Sequence, residues 1–290
     1  MLSLLEHQMF SLLSENLNIT GSEISSTRSR ILIVSEPSLV GSIAIASIEC
    51  ALLDSSIPYR RRFSFDQQSE SPIIRIHSNP DHGDPFFQIH PLSLSLQSQV
   101  VEGLRGSSGD SRNGPLTVIP QAFALAQKIN PESPRLRRMK PWILAGNWLA
   151  NTLDTTYDAV YSSLRDFLSL EGSVRIVPFP EVSDLHLGNY PWMDEAHYRK
   201  IIDGWNDMDL EEKEQTISSS VKAVLSSSTP STSRLEELVW HCVLGTGWKS
   251  DLASQILLAE SLWVSLPPIV AACKVADQIV GTGVFSLLKS

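Results

Sequence analysis

A short segment between residues 77 and 90 is rich in side chains that can bind metal ions. It contains Asp81, His82 and Asp84 in a turn with proline and glycine, flanked by His77 and His90. Carboxylate oxygens and imidazole nitrogens suit Mn²⁺ or Mg²⁺, so these side chains could hold one ion. The same residue types commonly cap and solvate a turn. We favour the turn interpretation and expect neither a bound metal nor another cofactor.

Two basic segments are candidates for contacting the phosphates of single-stranded DNA. Arg60, Arg61 and Arg62 are consecutive, and a second group follows later in the chain: Arg135, Arg137, Arg138 and Lys140. The chain has 32 acidic against 23 basic residues and a net charge of -9, which argues against a broad basic face. We therefore favour a solvated edge strand and a basic loop over a path for single strands.

Aromatic residues in the later half of the chain are candidate contacts for a partner protein. Trp192, Tyr198 and Trp205 belong to a residue class enriched at interface hot spots, although many such residues belong to the core. No serine lies in a Gly-x-Ser-x-Gly sequence, so nothing indicates a nucleophile elbow.

Composition indicates a folded, soluble protein of 290 residues, with 42% hydrophobic and 19% charged side chains. Three scattered cysteines favour a reducing cytoplasm. The apolar N-terminal segment has no basic residue before it, so we predict an amphipathic helix over residues 1–13 and not a secretory signal. Glu260, Lys274 and Asp277 interrupt the apolar C-terminal segment, which predicts buried helices and no membrane span.

The elements that must position these residues alternate between strands and helices in the first part of the chain. This alternation predicts an α/β fold with a parallel sheet. The predicted strands are residues 30–35, 59–65, 72–77 and 85–90, and a helix is predicted over residues 42–53.

The later segments indicate a change in organisation near residue 182. Residues 103–115 are predicted to be a loop and 174–179 the last strand; the helices are placed at 118–129, 155–170, 209–225, 234–244 and 251–262, with a polar linker at 226–233. We therefore predict an α/β domain over residues 1–182 and a smaller, mostly helical module over residues 183–290.

Residues 38–59 resemble the first motif of the DHH phosphoesterases, in particular the archaeal RecJ-like nucleases. In that family a strand ends in an Asp-x-Asp-Gly loop, a helix of small residues follows, and the next strand opens with Gly-Ile-Pro. Gly41 and the pair Ile57-Pro58 match this pattern. Residues 141–151 resemble the Ala-x-x-Gly-x-x-x-Asp motif, with Gly146 retained. The resemblance covers about residues 30–255 and implies a DHH-type core.

The departures from the family pattern imply loss of catalysis. The metal-binding aspartates of the family fall on Ser38, Val40 and Ala150, none of which can hold the two divalent cations that the reaction uses. The chain also lacks the family's Gly-Gly-Gly-His loop. These features resemble the non-catalytic branch of the superfamily, found in the archaeal CMG-type replicative helicase. That resemblance implies a scaffold at replication forks that bridges GINS and the MCM ring.

Two other functions stay open at this point. One is a Mn²⁺-dependent single-strand exonuclease or phosphodiesterase that uses displaced ligands such as Asp81, His82 and Asp84. The other is a single-strand-binding subunit that regulates such a nuclease through Arg60, Arg61 and Arg62, for which salt-sensitive binding is the expected mark.

Overall fold

The computed structural model describes residues 3–65, 72–79, 85–105, 111–150, 152–154, 157–225 and 230–287. Its centre is a mixed, mostly parallel five-stranded sheet with the order β2-β1-β3-β5-β4. Strands β1, β2, β3 and β5 are parallel, and β4 is antiparallel to β5 at one end of the sheet. The strands are β1 (Ile31–Ser35), β2 (Tyr59–Arg62), β3 (Ile73–His77), β4 (Phe86–Gln88) and β5 (Ser93–Gln97).

Helices in the first part of the chain pack against this sheet and against each other. They are α1 (Ser14–Ser26), α2 (Leu39–Asp54), α3 (Val118–Ile129), α4 (Pro134–Arg138), α5 (Ala145–Leu149) and α6 (Ala159–Leu170). Helix α2 contacts the sheet and α3, while α1 lies against α3. In α2 the residues from Gly41 to Leu52 are all buried, as expected for a helix that is apolar on every face.

Two small antiparallel pairs lie outside the main sheet. Strands β6 (Gln99–Arg105) and β7 (Ser111–Leu116) form one pair, and β8 (Val174–Val177) and β9 (Cys242–Gly245) form the other. The β8–β9 pairing crosses the predicted boundary near residue 182. One continuous set of buried apolar side chains also includes residues from both sides of it.

The later part of the chain is mostly helical, as predicted. Its helices are α7 (Glu195–Trp205), α8 (Leu210–Val221), α9 (Thr232–Val239), α10 (Leu252–Glu260), α11 (Leu262–Ser265) and α12 (Pro268–Thr282). Helix α12 packs on α2 and so returns to the α/β core. Among the described residues, no helix has the length and apolar character needed to cross a membrane.

The α/β class and the first strand–helix unit are confirmed, but several local predictions are wrong. The N-terminal segment forms two short 3-10 turns, Leu4–Glu6 and Gln8–Phe10, and the first α-helix comes only after them. Strand β5 was not predicted. The predicted loop at 103–115 contains parts of β6 and β7, and the end of the predicted helix at 234–244 is strand β9.

Candidate functional site

The carboxyl ends of β1 and β3 form the position in this sheet where a ligand would be expected. From β1 the chain crosses to β2 on one side and then to β3 on the other, so the strand order reverses between β1 and β3. Open α/β sheets bind ligands in the crevice at such a switch point. Ser35 ends β1 and Glu36 follows it, Ser38 is the N-cap of α2, and His77 ends β3 with Ser78 after it.

Three of these residues form a network, which we call the serine network: Glu36, Ser38 and Ser78. The Ser78 backbone N–H and hydroxyl both donate to Glu36 Oε2, each at 2.9 Å. Ser38 Oγ donates to Ser78 Oγ at 2.9 Å and accepts from the Gly41 N–H at 3.0 Å. The serine network thus ties the two strand ends to the N-terminus of α2, where Ser38 is the N-cap residue.

Gly41 is required by the close approach of α2 to β1. A Cβ atom at this position would lie 2.4 Å from Ser35 Oγ and 2.6 Å from the Glu36 carbonyl oxygen. Gly41 is part of α2 and is not among the residues with positive φ. Its role is therefore close packing and not an unusual backbone conformation.

A tryptophan from the C-terminal part of the chain contacts the same place. The indole N–H of Trp263, in α11, donates to the Pro37 carbonyl oxygen at 2.9 Å. Pro37, Ser38, Leu39, Glu260 and Trp263 line a cavity of about 300 Å³ beside this contact. The cavity therefore lies at the switch point, beside the N-terminus of α2.

The other motif positions lie on neighbouring helices. Val40 is half-buried in the first turn of α2 and packs against the core, while Ala150 is exposed at the C-terminus of α5. Gly146 lies in α5, where a Cβ atom would come within 2.0 Å of Thr117 Oγ1. Both retained glycines therefore permit close packing of a helix.

The candidate metal ligands are only partly within the described residues. Asp81, His82 and Asp84 lie outside them. His77 ends β3 at the carboxyl edge of the parallel strands, whereas His90 precedes β5 and so lies at the opposite edge. Five residues of extended strand span about 16 Å, too far for these two imidazoles to share an ion. In the described ranges, no three His, Cys, Asp or Glu side chains are grouped to hold a metal.

Arg61 is held in an ion-pair bridge with Glu49 of α2 and Asp277 of α12. Its Nη1 lies 3.0 Å from Glu49 Oε2, and its Nη2 donates to Asp277 Oδ1. Burial raises the pKa of Glu49 to about 7, although Arg61 lowers it in part. This guanidinium therefore joins three elements, while Arg60 is exposed and Arg62 half-buried on the same strand.

The second basic group is engaged mainly in intramolecular contacts. Arg135 pairs with Asp54, Arg137 with Glu132, and the buried Lys140 with Glu171. Arg138 donates to the Gly281 carbonyl oxygen at 3.5 Å. These contacts link α4 and the following 3-10 turn to neighbouring elements.

The aromatic candidates lie just before α7, in its first turn and at its C-terminal end. Trp205 is 4% exposed, and its Nε1 lies 3.5 Å from Glu181 Oε1. Trp192 and Tyr198 are half-buried, with Trp192 against Tyr190 and Tyr198 against Phe179. Little of Trp205 is left to contact a partner; contacts through Trp192 and Tyr198 stay predictions.

Comparison with known proteins assigns no family: no family model and no curated protein sequence matches the chain. The resemblance to DHH phosphoesterases thus depends on the motifs and their order alone.

Sequence reasoning missed four residues of this site: Glu36, Ser78, Glu260 and Trp263. Glu36 directly follows the predicted first strand, and this position was a usable signal for a switch-point residue. Glu260 and Trp263 lie more than 220 positions from Ser38 along the chain, and nothing in the local pattern of α10 and α11 points to β1.

Proposed function

We propose that this chain is a non-catalytic DNA replication factor, a scaffold that bridges GINS and the MCM ring in an archaeal CMG-type helicase. The observation that supports this best is the serine network. At the switch point the polar side chains of Glu36, Ser38 and Ser78 hydrogen-bond to one another. The counterpart with this role in other replication systems is the cell division cycle 45 protein.

The chemistry of the site supports a role without catalysis. Hydrolysis by two metal ions needs several carboxylate or imidazole ligands that offset the charge of two divalent cations. The residues at the corresponding positions are a hydroxyl, an isopropyl and a methyl side chain: Ser38, Val40 and Ala150. Glu36 supplies one carboxylate, and one of its oxygens already accepts two hydrogen bonds from Ser78.

The topology is compatible with a DHH-type core, which is part of the same proposal. A parallel sheet whose first strand leads through a tight turn into a buried helix of small residues is the arrangement that the first motif implies. The net charge of -9 also favours protein partners over a polyanion. The proposal places the protein in the cytoplasm, at replication forks.

The decisive experiment is size-exclusion chromatography with light scattering on this protein mixed with its cognate GINS complex, and then with MCM. We expect co-elution at a defined stoichiometry, unchanged by Ser38→Ala. Separate elution from both partners would overturn the scaffold proposal and leave the fold as it stands.

A second pair of assays separates the scaffold from a nuclease. We expect no stoichiometric Mn²⁺ binding by calorimetry and no Mn²⁺-dependent hydrolysis of single-stranded DNA. Hydrolysis that is abolished by His82→Ala would instead identify an enzyme with displaced ligands.

A further inference from the structure

Among the described residues that line the cavity at the switch point, one side chain is ionisable, that of Glu260. This residue ends α10 and shares the cavity with Trp263, Ser38, Leu39 and Pro37. Partial burial raises the pKa of the Glu260 carboxyl above its ordinary value. In the described part of the chain its carboxylate makes no hydrogen bond or ion pair. The cavity therefore presents an acidic group without a cationic partner next to an indole ring.

Arg234, the cation whose charge acts on Glu260, is already engaged elsewhere. The charge of Arg234 lowers the pKa of Glu260, against the larger effect of burial. Its Nε, however, lies 2.7 and 2.8 Å from the two carboxylate oxygens of Asp154, and its Nη2 donates to the Trp148 carbonyl oxygen at 3.0 Å. Arg234 is thus held by other groups.

The contacts of Arg234 show how a cation binds between a tryptophan and a carboxylate elsewhere in this structure. Its guanidinium lies over the Trp148 ring, 4.6 Å from the centroid, while pairing with Asp154. Arginine suits this arrangement because its planar cation both stacks on an aromatic face and binds a carboxylate. Trp263 and Glu260 provide the same two groups at the cavity and lack the arginine.

An exposed apolar segment lies next to the cavity. Residues 261–273 contain no charged side chain. Within them Val264 is 91% exposed, Ile269 54% and Val270 42%. We call the exposed part of this segment, residues 264–270, the apolar knuckle. Contiguous exposed apolar residues beside a cavity are typical of protein-interaction sites.

We propose that the cavity and the apolar knuckle together dock a segment of a partner protein that is apolar and carries one arginine, which enters between Trp263 and Glu260. The occupant is cationic because Glu260 is the one charged residue among the described residues that line the cavity. An anion at the N-terminus of α2 would face this carboxylate, and Ser38 already caps that helix. This inference goes beyond the scaffold proposal, since it names a docking surface and a partner chemistry.

The test is a titration of the full-length ¹⁵N-labelled protein with the peptide acetyl-Ala-Leu-Arg-Leu-Ala-amide, followed by NMR. The indole N–H signal of Trp263 is assigned by its disappearance in Trp263→Phe. We expect this signal to shift with peptide concentration. The matching peptide with glutamate in place of arginine should bind at least fivefold more weakly, because Glu260 repels it.

Two variants locate the binding surface on the protein. Glu260→Gln and Val264→Asp should each weaken binding of the arginine peptide about five- to tenfold. Glu214→Gln and Leu210→Asp change residues of the same types on exposed positions of α8 and should leave binding unchanged. Folding of each variant is checked by its amide spectrum, so a misfolded protein is not mistaken for lost binding.

Three outcomes would overturn this inference. The first is equal binding of the arginine and glutamate peptides, and the second is undiminished binding of the arginine peptide to Glu260→Gln. The third is the absence of a shift of the Trp263 signal at about 1 mM peptide, a concentration at which weak complexes are detected. Dimer formation that Val264→Asp abolishes, or adsorption to vesicles of anionic lipid, would likewise replace the partner segment with another occupant. GINS is absent from these assays. A negative result in them would overturn the docking inference and leave the scaffold proposal to the co-elution experiment.

Discussion

The serine network and the ion-pair bridge of Arg61 differ in the interactions that hold them together: hydrogen bonds in the first and ion pairs in the second. At the carboxyl ends of β1 and β3, two serines and one glutamate are joined by hydrogen bonds about 2.9 Å long. At β2, the cation Arg61 joins the buried Glu49 of α2 to Asp277 of α12. At the bridge, oppositely charged side chains therefore connect three elements. At the carboxyl ends of β1 and β3, where an enzyme with this kind of sheet would carry its charged ligands, the side chains are mainly neutral.

The largest expected effect comes from breaking the ion-pair bridge. Arg61→Met leaves the Glu49 carboxylate buried without its cation, and we expect the free energy of unfolding at pH 8 to fall by about 3 kcal/mol. Urea denaturation measures this loss. Arg28→Met, at an exposed position before β1, is the control and should change stability by less than about 1 kcal/mol. Similar losses in the two variants would contradict a specific role for Arg61.

The pH dependence of stability tests the same bridge in another way. The pKa of Glu49 is about 7 in the folded protein and near its ordinary value of 4.5 when unfolded. The folded state therefore binds more protons between these values, so Glu49 makes stability fall as pH rises from 4.5 to 7. Subtracting the curve of Glu49→Gln from that of the native chain should reveal this fall. A flat difference would show that Glu49 titrates normally.

A smaller effect is expected from crowding the turn between β1 and α2. In Gly41→Ala the added methyl group meets Ser35 Oγ and the Glu36 carbonyl, which should cost about 1 to 3 kcal/mol. Gly281→Ala is the matched control, because a Cβ in that exposed part of α12 meets nothing within 4 Å. It should raise the unfolding free energy by up to about 1 kcal/mol. Thermal unfolding of both variants measures the contrast; equal signs would refute it.

The smallest effect is expected from removing one hydroxyl of the serine network. Ser38→Ala loses the N-cap of α2 and the bond to Ser78, at a cost of about 1 kcal/mol. Co-elution with GINS should nevertheless be unchanged. Loss of co-elution by a folded Ser38→Ala protein would show that the network itself contacts the partner. Ser218→Ala, an exposed serine of α8, serves as the control for both measurements.

Local pattern was sufficient for the first unit of the fold. The β-branched strand at Ile31–Ser35 and the apolar helix that follows it have strong signals, and both were predicted within a few residues. Strand β5 was missed because serines alternate with its leucines, and serine is read as a loop residue. Strand β9 was missed because its burial and its pairing with β8 come from tertiary contacts.

Only the part of the site that comes from β1, α2 and β3 could be predicted from the sequence. The order of β1, α2 and β3 leads to the switch point, and the placement of Ser38 follows from it. Glu260 and Trp263 reach that point through the packing of the C-terminal helices, which no short-range pattern contains. The bridge from Arg61 to Asp277 is invisible for the same reason, since 216 positions separate the two residues.

The packing of α12 on α2 has a consequence for the order in which the protein can form. Helix α2 is buried on all sides, and part of its cover comes from residues 268–282. During synthesis α2 emerges more than 200 residues before α12, and this flank of α2 is open to water in the meantime. Contacts between such distant parts of a chain form slowly. The packing of α2 is therefore complete only once α12 is in place, and until then the nascent chain exposes an apolar surface that chaperones can bind.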